Sequence, residues 1–321
     1  MKETPGTNMM LEDIKTVAVV GTGIMGSHIA LAFALAGYEV NGIDLKQDIL
    51  DLARTNMIAA CHELVRAGFL EEARVRNVLG KVNLTLDLNK SLSSADYVTE
   101  AVPEIVAAKQ EIYELCGKLC RPEVVIGSNT SSMSISEIAA GMKHPERAVG
   151  THWFIPPHLM PVVEIVPGSA TSEDTLQLVK GLLRKVGKKP VTCKENPGFI
   201  HNYIQFAMGR ACLMLLEMGV CSAEDVGTVV TNGFALRLAQ LGPIRTMDYM
   251  GLDTILNVAK YMYAKTGDEA FRTPALLEKM VTRGELGLKS GLGFYSYSPE
   301  DAQRVRTLAE DAVMKGLRAS A

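Results

Sequence analysis

The chain has 321 residues, a length that predicts about two domains, and its 47% hydrophobic and 21% charged residues are typical of a globular protein. Its formal net charge of -3 gives no basic surface for nucleic acid, and no apolar run reaches the roughly 20 residues that a membrane span needs. The N-terminal residues lack the apolar segment of a secretory signal, and the six scattered cysteines predict reduced thiols, a cytoplasmic protein and no metal site.

The first part of the chain alternates between strand and helix patterns. Residues 16–45 indicate a strand, a glycine turn, an apolar helix and a second strand, which together make one βαβ unit. A long amphipathic helix follows in residues 48–68. Further short strands are predicted for the segments VNLTLDL, ADYVTEAV, VVIGSNTS, RAVGTHWF and PVVEIVPG. Strands that alternate with helices predict an α/β fold with a parallel sheet covered on both faces.

The pattern changes after residue 195. From residue 199 to about residue 280 the sequence has helical periods and almost no strand signal. We therefore predict two domains, 1–195 and 196–321, of which the second is helical. The final segment, SPEDAQRVRTLAEDAVMKGLRASA, begins with a Ser-Pro-Glu helix start and has helical charge spacing, so it predicts an extra helix that lies on the surface or packs against a partner.

A glycine motif follows the first strand and opens the first helix, which is the context of a dinucleotide-binding turn. The residues of this turn predicted to contact the cofactor are Gly21, Gly23, Ile24, Met25 and Gly26. Asp44 ends the second strand, where a carboxylate accepts hydrogen bonds from the adenosine ribose and repels a 2′-phosphate. These features predict NAD as the cofactor, and a solvated strand end is the alternative interpretation of Asp44.

His152 and Glu164 lie close together in the stretch GTHWFIPPHLMPVVEIVPG, residues 150–168. A carboxylate inside an apolar strand is costly to bury unless a partner compensates it. A histidine is suited to accept a proton near neutral pH, and a carboxylate on its other ring nitrogen would fix its tautomer. The alternative is a structural histidine at a strand end. Three other histidines are interpreted as surface or packing residues, namely His28, His158 and His201.

Several motifs together resemble the L-3-hydroxyacyl-CoA dehydrogenases and their relatives that act on free hydroxy acids, such as L-gulonate and carnitine dehydrogenases. The motifs are GTGIMGSHIALAFALAGYEV, EAVPEIVAAK, SNTSS, THWFIPPHLMPVVEIV, KENPGFIHN and GLKSGLGFY. The resemblance implies a Rossmann-type domain followed by an all-α domain, NAD-dependent oxidation of an L-3-hydroxyacyl group to the 3-oxo compound, and a homodimer. A non-catalytic NAD-binding protein is the alternative, and the presence of both His152 and Glu164 disfavours it.

The resemblance also implies roles in the reaction for four residues. It makes His152 the general base and Glu164, twelve residues later, the carboxylate that orients it. It places Ser131 near the substrate hydroxyl, and Asn202 beside the substrate carbonyl, where an amide can donate to developing negative charge. By position alone, Ser131 or Ser132 could instead cap a helix, and Asn202 could bond to backbone.

Four further residues match cofactor-binding positions of the family. Glu104 and Lys109 match its E-x-x-x-x-K motif near the nicotinamide ribose, and Asn129 matches a cofactor contact. Lys289 matches a lysine near the nicotinamide end. A solvated helix lysine is the alternative interpretation of Lys109.

The sequence departs from the family pattern at several positions near the expected substrate. Ile155 stands where the family has asparagine, and Tyr203 where it has arginine. The CoA-using relatives carry a basic turn after the long helix, which can neutralise the 3′-phosphate of CoA. Here Arg66 keeps one charge, but Phe69 replaces a lysine and two glutamates follow. The sequence therefore leaves open whether the substrate is a CoA thioester or a free 3-hydroxy acid.

Overall fold

The computed structural model describes residues 7–319 of the chain. The chain divides into two compact units, Met1–Met208 and Gly209–Ala321. The first unit contains a sheet with its helices and the second is helical, which confirms the predicted fold class. None of the helices within residues 7–319 combines the length and the apolar character that crossing a bilayer requires.

Eight strands of the described residues form one sheet: β1 (Thr16–Val20), β2 (Glu39–Ile43), β3 (Val82–Thr85), β4 (Tyr97–Glu100), β5 (Val125–Ser128), β6 (Ala148–Trp153), β7 (Val162–Pro167) and β8 (Lys189–Thr192). Their order across the sheet is β3-β2-β1-β4-β5-β6-β7-β8, and all neighbours are parallel except β6 and β7. The middle strands β4, β5 and β6 are wholly buried, as is usual for a parallel sheet covered by helices.

The helices described in the first unit are α1 (Ile24–Leu35), α2 (Gln47–Arg66), α3 (Glu72–Gly80), α4 (Leu88–Ser93), α5 (Val106–Leu119), α6 (Ile135–Ile138) and α7 (Glu173–Lys185). Most of α1 is buried because it is apolar on nearly all sides. Asp87 and Ser172 each accept a hydrogen bond from a backbone N–H group three residues later, so they cap α4 and α7.

The prediction of a parallel sheet is wrong for β6 and β7, which run antiparallel. The loop of residues 154–161 between them is too short for the crossover of about a dozen residues or more that a parallel pair requires. Antiparallel pairing places His152 directly opposite Glu164. The twelve-residue spacing of these two side chains therefore follows from a short connection between two adjacent strands.

Elements of the first unit that had not been predicted include β8 and α3. β8 is a short, largely exposed edge strand, and it contains Pro190, which cannot donate a ladder hydrogen bond. α3 is rich in charged residues and buries only Val75 and Val78. In both cases the apolar pattern is too short to separate from that of a loop.

Helix α8 (His201–Glu217) runs across the division between the units. The second unit then contains α9 (Ala223–Val229), a π-turn at Val230–Phe234, α10 (Ala235–Met250), α11 (Leu252–Thr266), α12 (Ala275–Thr282) and α13 (Pro299–Ala319). α10 and α13 bury Leu241, Val305 and Ala309 in one cluster. The C-terminal extension therefore forms a helix that belongs to the core of the second unit.

Candidate active site

The glycine turn after β1 is shaped by close backbone approaches. Gly21 has φ +89°, and a Cβ there would lie 2.7 Å from the carbonyl oxygen of Ala101. A Cβ on Gly26 would lie 1.7 Å from the carbonyl oxygen of Gly21, so helix and turn touch through their backbones. A Cβ on Gly23, in contrast, would meet nothing within 4 Å. The turn therefore leaves an open cradle above Gly23, at the start of α1.

The start of α1 has the properties of an anion site. No side chain caps the helix at Gly23, so the N–H groups of its first turn, including those of Ile24 and Met25, are not taken by a cap. Asp44 follows β2, and its carboxylate accepts hydrogen bonds from Thr22 N (2.7 Å) and Leu45 N (2.8 Å). Free N–H groups, an open cradle and a fixed carboxylate fit the pyrophosphate and ribose of a dinucleotide.

His152 and Glu164 form a buried pair. The histidine Nδ1 lies 2.8 Å from Glu164 Oε2. His152 is only 6% exposed and Glu164 only 2% exposed. Glu164 Oε1 accepts hydrogen bonds from the backbone N–H groups of Ile200 (3.1 Å) and His201 (2.8 Å), at the start of α8. Both oxygens of this carboxylate therefore have hydrogen-bond partners, which compensate the free-energy cost of burying it in an apolar strand.

The contacts of Glu164 also determine its charge. Burial favours the neutral acid, but the hydrogen bonds from His152 and from the N–H groups of His201 and Ile200 outweigh it, so the pKa of Glu164 is lowered. The carboxylate is thus ionised at neutral pH. An ionised carboxylate on Nδ1 holds the ring proton there and leaves Nε2 as the acceptor nitrogen.

The segment after β5 is fastened to the segment after β4 through Glu104. Its Oε1 accepts hydrogen bonds from Thr130 Oγ1 (2.6 Å), Ser131 N (2.8 Å) and Ser131 Oγ (3.3 Å). In the same segment Asn129 Oδ1 accepts a hydrogen bond from Trp153 N (2.9 Å), just after His152. These bonds set the positions of Ser131 and of the end of β6 relative to each other.

Lys109 is not a solvated helix lysine, because it is only 1% exposed. Its Nζ lies 2.8 Å from Glu100 Oε1 and 3.2 Å from Glu104 Oε2, and it also donates to the carbonyl oxygen of Val102 (3.2 Å). Burial raises the pKa of Glu100, although Lys109 and Ser128 oppose the shift. The lysine therefore joins two carboxylates and holds the segment that carries Glu104.

A cavity of about 430 Å³ lies over these groups. Its lining includes three of the four residues predicted for the reaction, Ser131, His152 and Asn202, while Glu164 lies behind the histidine. Three of the residues predicted for the cofactor also line it, namely Met25, Glu104 and Asn129. Asn202 Nδ2 donates to the carbonyl oxygen of Ser131 (3.0 Å), so this amide does bond to backbone, across two segments. Neither Ser131 nor Ser132 caps α6, since Ser134 does so.

Some predicted residues are not brought into this cavity. Lys289 lies in the second unit, where its Nζ donates to Asp253 Oδ1 (2.7 Å) and Thr254 Oγ1 (2.9 Å). Ile155 lines the cavity, but Tyr203 does not line it and is 65% exposed, so only one of the two departures from the family pattern changes the cavity wall. A larger cleft of about 580 Å³ contains none of the predicted site residues.

Four polar residues of the site had not been predicted from the sequence: Glu100, Glu195, His201 and Gln205. Glu195 accepts hydrogen bonds from Ser134 Oγ (3.0 Å), Ser136 N (2.8 Å) and Ser136 Oγ (2.6 Å), so it fastens the segment before α8 to the segment after β5. His201, interpreted from the sequence as a surface or packing residue, lines the cavity together with Gln205. Glu100 could have been identified from the sequence, because it is an acidic residue at the end of an apolar strand.

Family models match both parts of the chain. The model described as 3-hydroxyacyl-CoA dehydrogenase, NAD binding domain, matches residues 16–196. The model described as 3-hydroxyacyl-CoA dehydrogenase, C-terminal domain, matches residues 198–297.

Individual relatives cover most of the chain. A 5-formyl-3-hydroxy-2-methylpyridine 4-carboxylate 5-dehydrogenase of Mesorhizobium japonicum is 33% identical over 302 residues, 92% of this chain and 96% of the relative. A 3-hydroxybutyryl-CoA dehydrogenase of Mycobacterium tuberculosis is 36% identical over 290 residues, 90% of this chain and 100% of the relative. The crystal structure of a 3-hydroxyacyl-CoA dehydrogenase from Archaeoglobus fulgidus has a TM-score of 0.76 at 32% identity, and the match covers 94% of this chain and 98% of that one.

Two glycine variants should distinguish the role of the turn in cofactor binding from its role in the stability of the fold. Gly23→Ala should leave the melting temperature near that of the unmodified protein, because its Cβ meets nothing within 4 Å. It should weaken NADH binding by about 10-fold or more, a change of about 1.4 kcal/mol, because the methyl group fills the cradle. NADH fluorescence titration and thermal unfolding measure the two effects.

Gly26→Ala is the matched comparison, since its Cβ would overlap the Gly21 carbonyl oxygen at 1.7 Å. This variant should lose stability as well as NADH affinity. Unchanged NADH affinity in Gly23→Ala would contradict the assignment of the cradle.

Proposed function

Because this chain belongs to the 3-hydroxyacyl-CoA dehydrogenase family and is an NAD-dependent dehydrogenase of CH–OH groups, we propose that it oxidises an L-3-hydroxyacyl group to the 3-oxo compound. The observation that carries the proposal is the buried pair of His152 and Glu164, whose side-chain atoms lie 2.8 Å apart at the wall of the cavity. A base oriented in this way can take the proton of a secondary alcohol.

In the proposed mechanism the substrate hydroxyl donates its proton to Nε2 of His152, the ring nitrogen that does not face Glu164. The Glu164 carboxylate then stabilises the imidazolium that forms. Asn202 has a second amide N–H beyond the one bonded to Ser131, and it donates to the substrate carbonyl oxygen. NAD, when bound, supplies the acceptor of the hydride. The Ser131 hydroxyl helps to position the substrate hydroxyl beside the histidine.

The residues that would hold NAD follow from the same geometry. The glycine turn and the N–H groups at the start of α1 would bind the pyrophosphate, and Asp44 would bind the adenosine ribose and repel a 2′-phosphate. Toward the nicotinamide end we propose contributions from Glu104, Lys109, Asn129 and Lys289. Lys109 would act by holding Glu104 in place, because its own ammonium group is buried between two carboxylates.

A second candidate substrate is a compact free 3-hydroxy acid without CoA. The turn after α2 supports it, because Arg66 already has Glu63 3.8 Å away, and the exposed Phe69 is followed by two glutamates. Negative charge at that turn is unfavourable for the 3′-phosphate of CoA. Ile155 also makes the cavity wall more apolar. The relative from Mesorhizobium japonicum is named for a pyridine carboxylate substrate, which is in keeping with this candidate.

We also propose that the protein is a homodimer. α8 has no buried residue, although it carries many large apolar side chains. On this helix Phe206 is 73% exposed and Leu213 is 68% exposed, and Met218, just after its end, is also 68% exposed. Exposed apolar surface of this extent is typical of an interface, and a second copy of the same helix would cover it.

The proposed base leads to a direct test. His152→Gln should lower kcat by about 100-fold or more, the usual scale for a general base, while NADH binding stays near normal. Glu164→Gln should also lower kcat, because the amide no longer stabilises the imidazolium. Stopped-flow measurement of NADH formation, with NADH affinity as the control, checks both variants. Near-normal turnover in His152→Gln would exclude it as the base.

The free-acid candidate predicts that Arg66→Glu leaves the KM of the best substrate unchanged. The reason is that a free acid has no 3′-phosphate of CoA to contact the turn after α2. Steady-state kinetics at low and high salt measure this, because a phosphate contact would also make KM salt-dependent. A marked rise in KM with the variant and with salt would instead establish a CoA thioester.

The proposed dimer can be tested by adding charge to α8. Phe206→Glu and Leu213→Glu should each shift the protein from dimer to monomer at micromolar concentration, as measured by light scattering. Leu52→Glu, an equally non-conservative change at a 58% exposed position on α2, is the matched control and should leave the dimer intact. A monomeric unmodified protein would overturn the proposal.

A further inference from the structure

The cavity contains a second histidine that the proposed mechanism does not use. The ring of His201 stacks on Phe154 with centroids 4.0 Å apart and planes inclined by 26°, and it lies 6.1 Å from the ring of His152. Its backbone N–H is bonded to Glu164, but no hydrogen bond of its ring nitrogens is found among the described residues. Stacking uses the face of the ring, so the nitrogens at its edge are available to a ligand.

Two other polar side chains accompany His201 on the first turns of α8. Asn202 and Gln205 also line the cavity, and Gln205 lies three positions after Asn202 and four after His201, the spacings at which side chains on a helix are neighbours. The side chain of Gln205, like the His201 ring, has no hydrogen bond among residues 7–319. The N-terminal turns of α8 therefore offer three side chains with hydrogen-bond donors to a molecule in the cavity.

The charges around the cavity indicate which kind of substrate group the three donor side chains of α8 would bind. Glu104 is compensated by Lys109 at 3.2 Å and by Thr130 and Ser131, and its pKa is lowered by these bonds although burial opposes the shift. Glu164 is compensated by His152 and two backbone N–H groups. No lysine or arginine within residues 7–319 lines the cavity. Among the groups that line the cavity, the donors for an anionic substrate are therefore neutral side chains and a histidine.

Resting on the proposed function, we propose that His201 and Gln205 bind the carboxylate of a free 3-hydroxy acid and determine the preference for that substrate class. Asn202 would take one carboxylate oxygen through its remaining N–H, and His201 with Gln205 would take the other. A thioester has only one oxygen at that carbon, so it leaves the second set of donors without a partner. The histidine rings are close enough for one compact molecule to contact His152 with its hydroxyl and His201 with its carboxylate.

The test compares two probes, L-3-hydroxybutyrate and L-3-hydroxybutyryl-CoA, in the full-length protein. His201→Val removes the hydrogen-bond donor of the side chain, and His201→Gln keeps one. In His201→Val the ratio of kcat/KM for the free acid to that for the thioester should fall by about 10-fold or more, the scale of a hydrogen bond to a charged group. His201→Gln should recover part of the loss. His62→Val, at an exposed histidine of α2 outside the cavity, is the matched control.

A binding measurement makes the test independent of turnover. Calorimetric affinity of L-3-hydroxybutyrate for the His152→Gln protein with NADH bound should fall when His201→Val is added. An equal loss for both probes, or no change in the ratio, would overturn the proposal, because His201 would then be a packing residue. An unmodified protein that oxidises only the thioester would also overturn it while the proposed dehydrogenase function stands. Failure to oxidise any 3-hydroxy substrate would defeat the proposed function itself.

Discussion

The Glu164 carboxylate is the interaction on which the site depends. One oxygen forms a hydrogen bond with the ring of His152. The other accepts hydrogen bonds from the backbone N–H groups of Ile200 and His201, where α8 begins. A single buried charge on β7 thus bonds the histidine on β6 and the start of the helix that carries Asn202. Removing it would leave a buried imidazole and two N–H groups without partners, a costly combination in an apolar strand.

The rest of the site repeats this arrangement with other carboxylates. Glu104 holds the segment of Ser131, Glu100 holds Lys109, and Glu195 holds the segment before α8. These groups follow the carboxyl ends of parallel strands, where loops of an open α/β sheet meet to bind ligands. Because each loop is bonded to a neighbour, the reacting side chains are positioned before any ligand arrives, which is what a proton transfer over hydrogen-bond distance requires.

Much of this could be predicted from the sequence, for identifiable reasons. The glycine turn, the apolar α1 and the buried strands have strong local patterns, and Asp44 and the pair of His152 and Glu164 stand out against apolar surroundings. Contacts between distant segments left no such pattern. The burial of Lys109 depends on Glu100 in the preceding strand. The place of His201 in the cavity depends on how α8 meets β6 and β7, and its sequence neighbours alone made it look like a packing residue.

The tautomer of His152 reports most directly on how Glu164 orients the histidine. ¹⁵N NMR of the ring nitrogens, in the protein with and without Glu164→Gln, reads which nitrogen carries the proton in the neutral imidazole. The proposed orientation of His152 by Glu164 predicts a proton on Nδ1, facing Glu164, with Nε2 as the free acceptor, and a mixed or reversed tautomer in the variant. A proton on Nε2 in the unmodified protein would contradict it, because that nitrogen could then not accept the substrate proton.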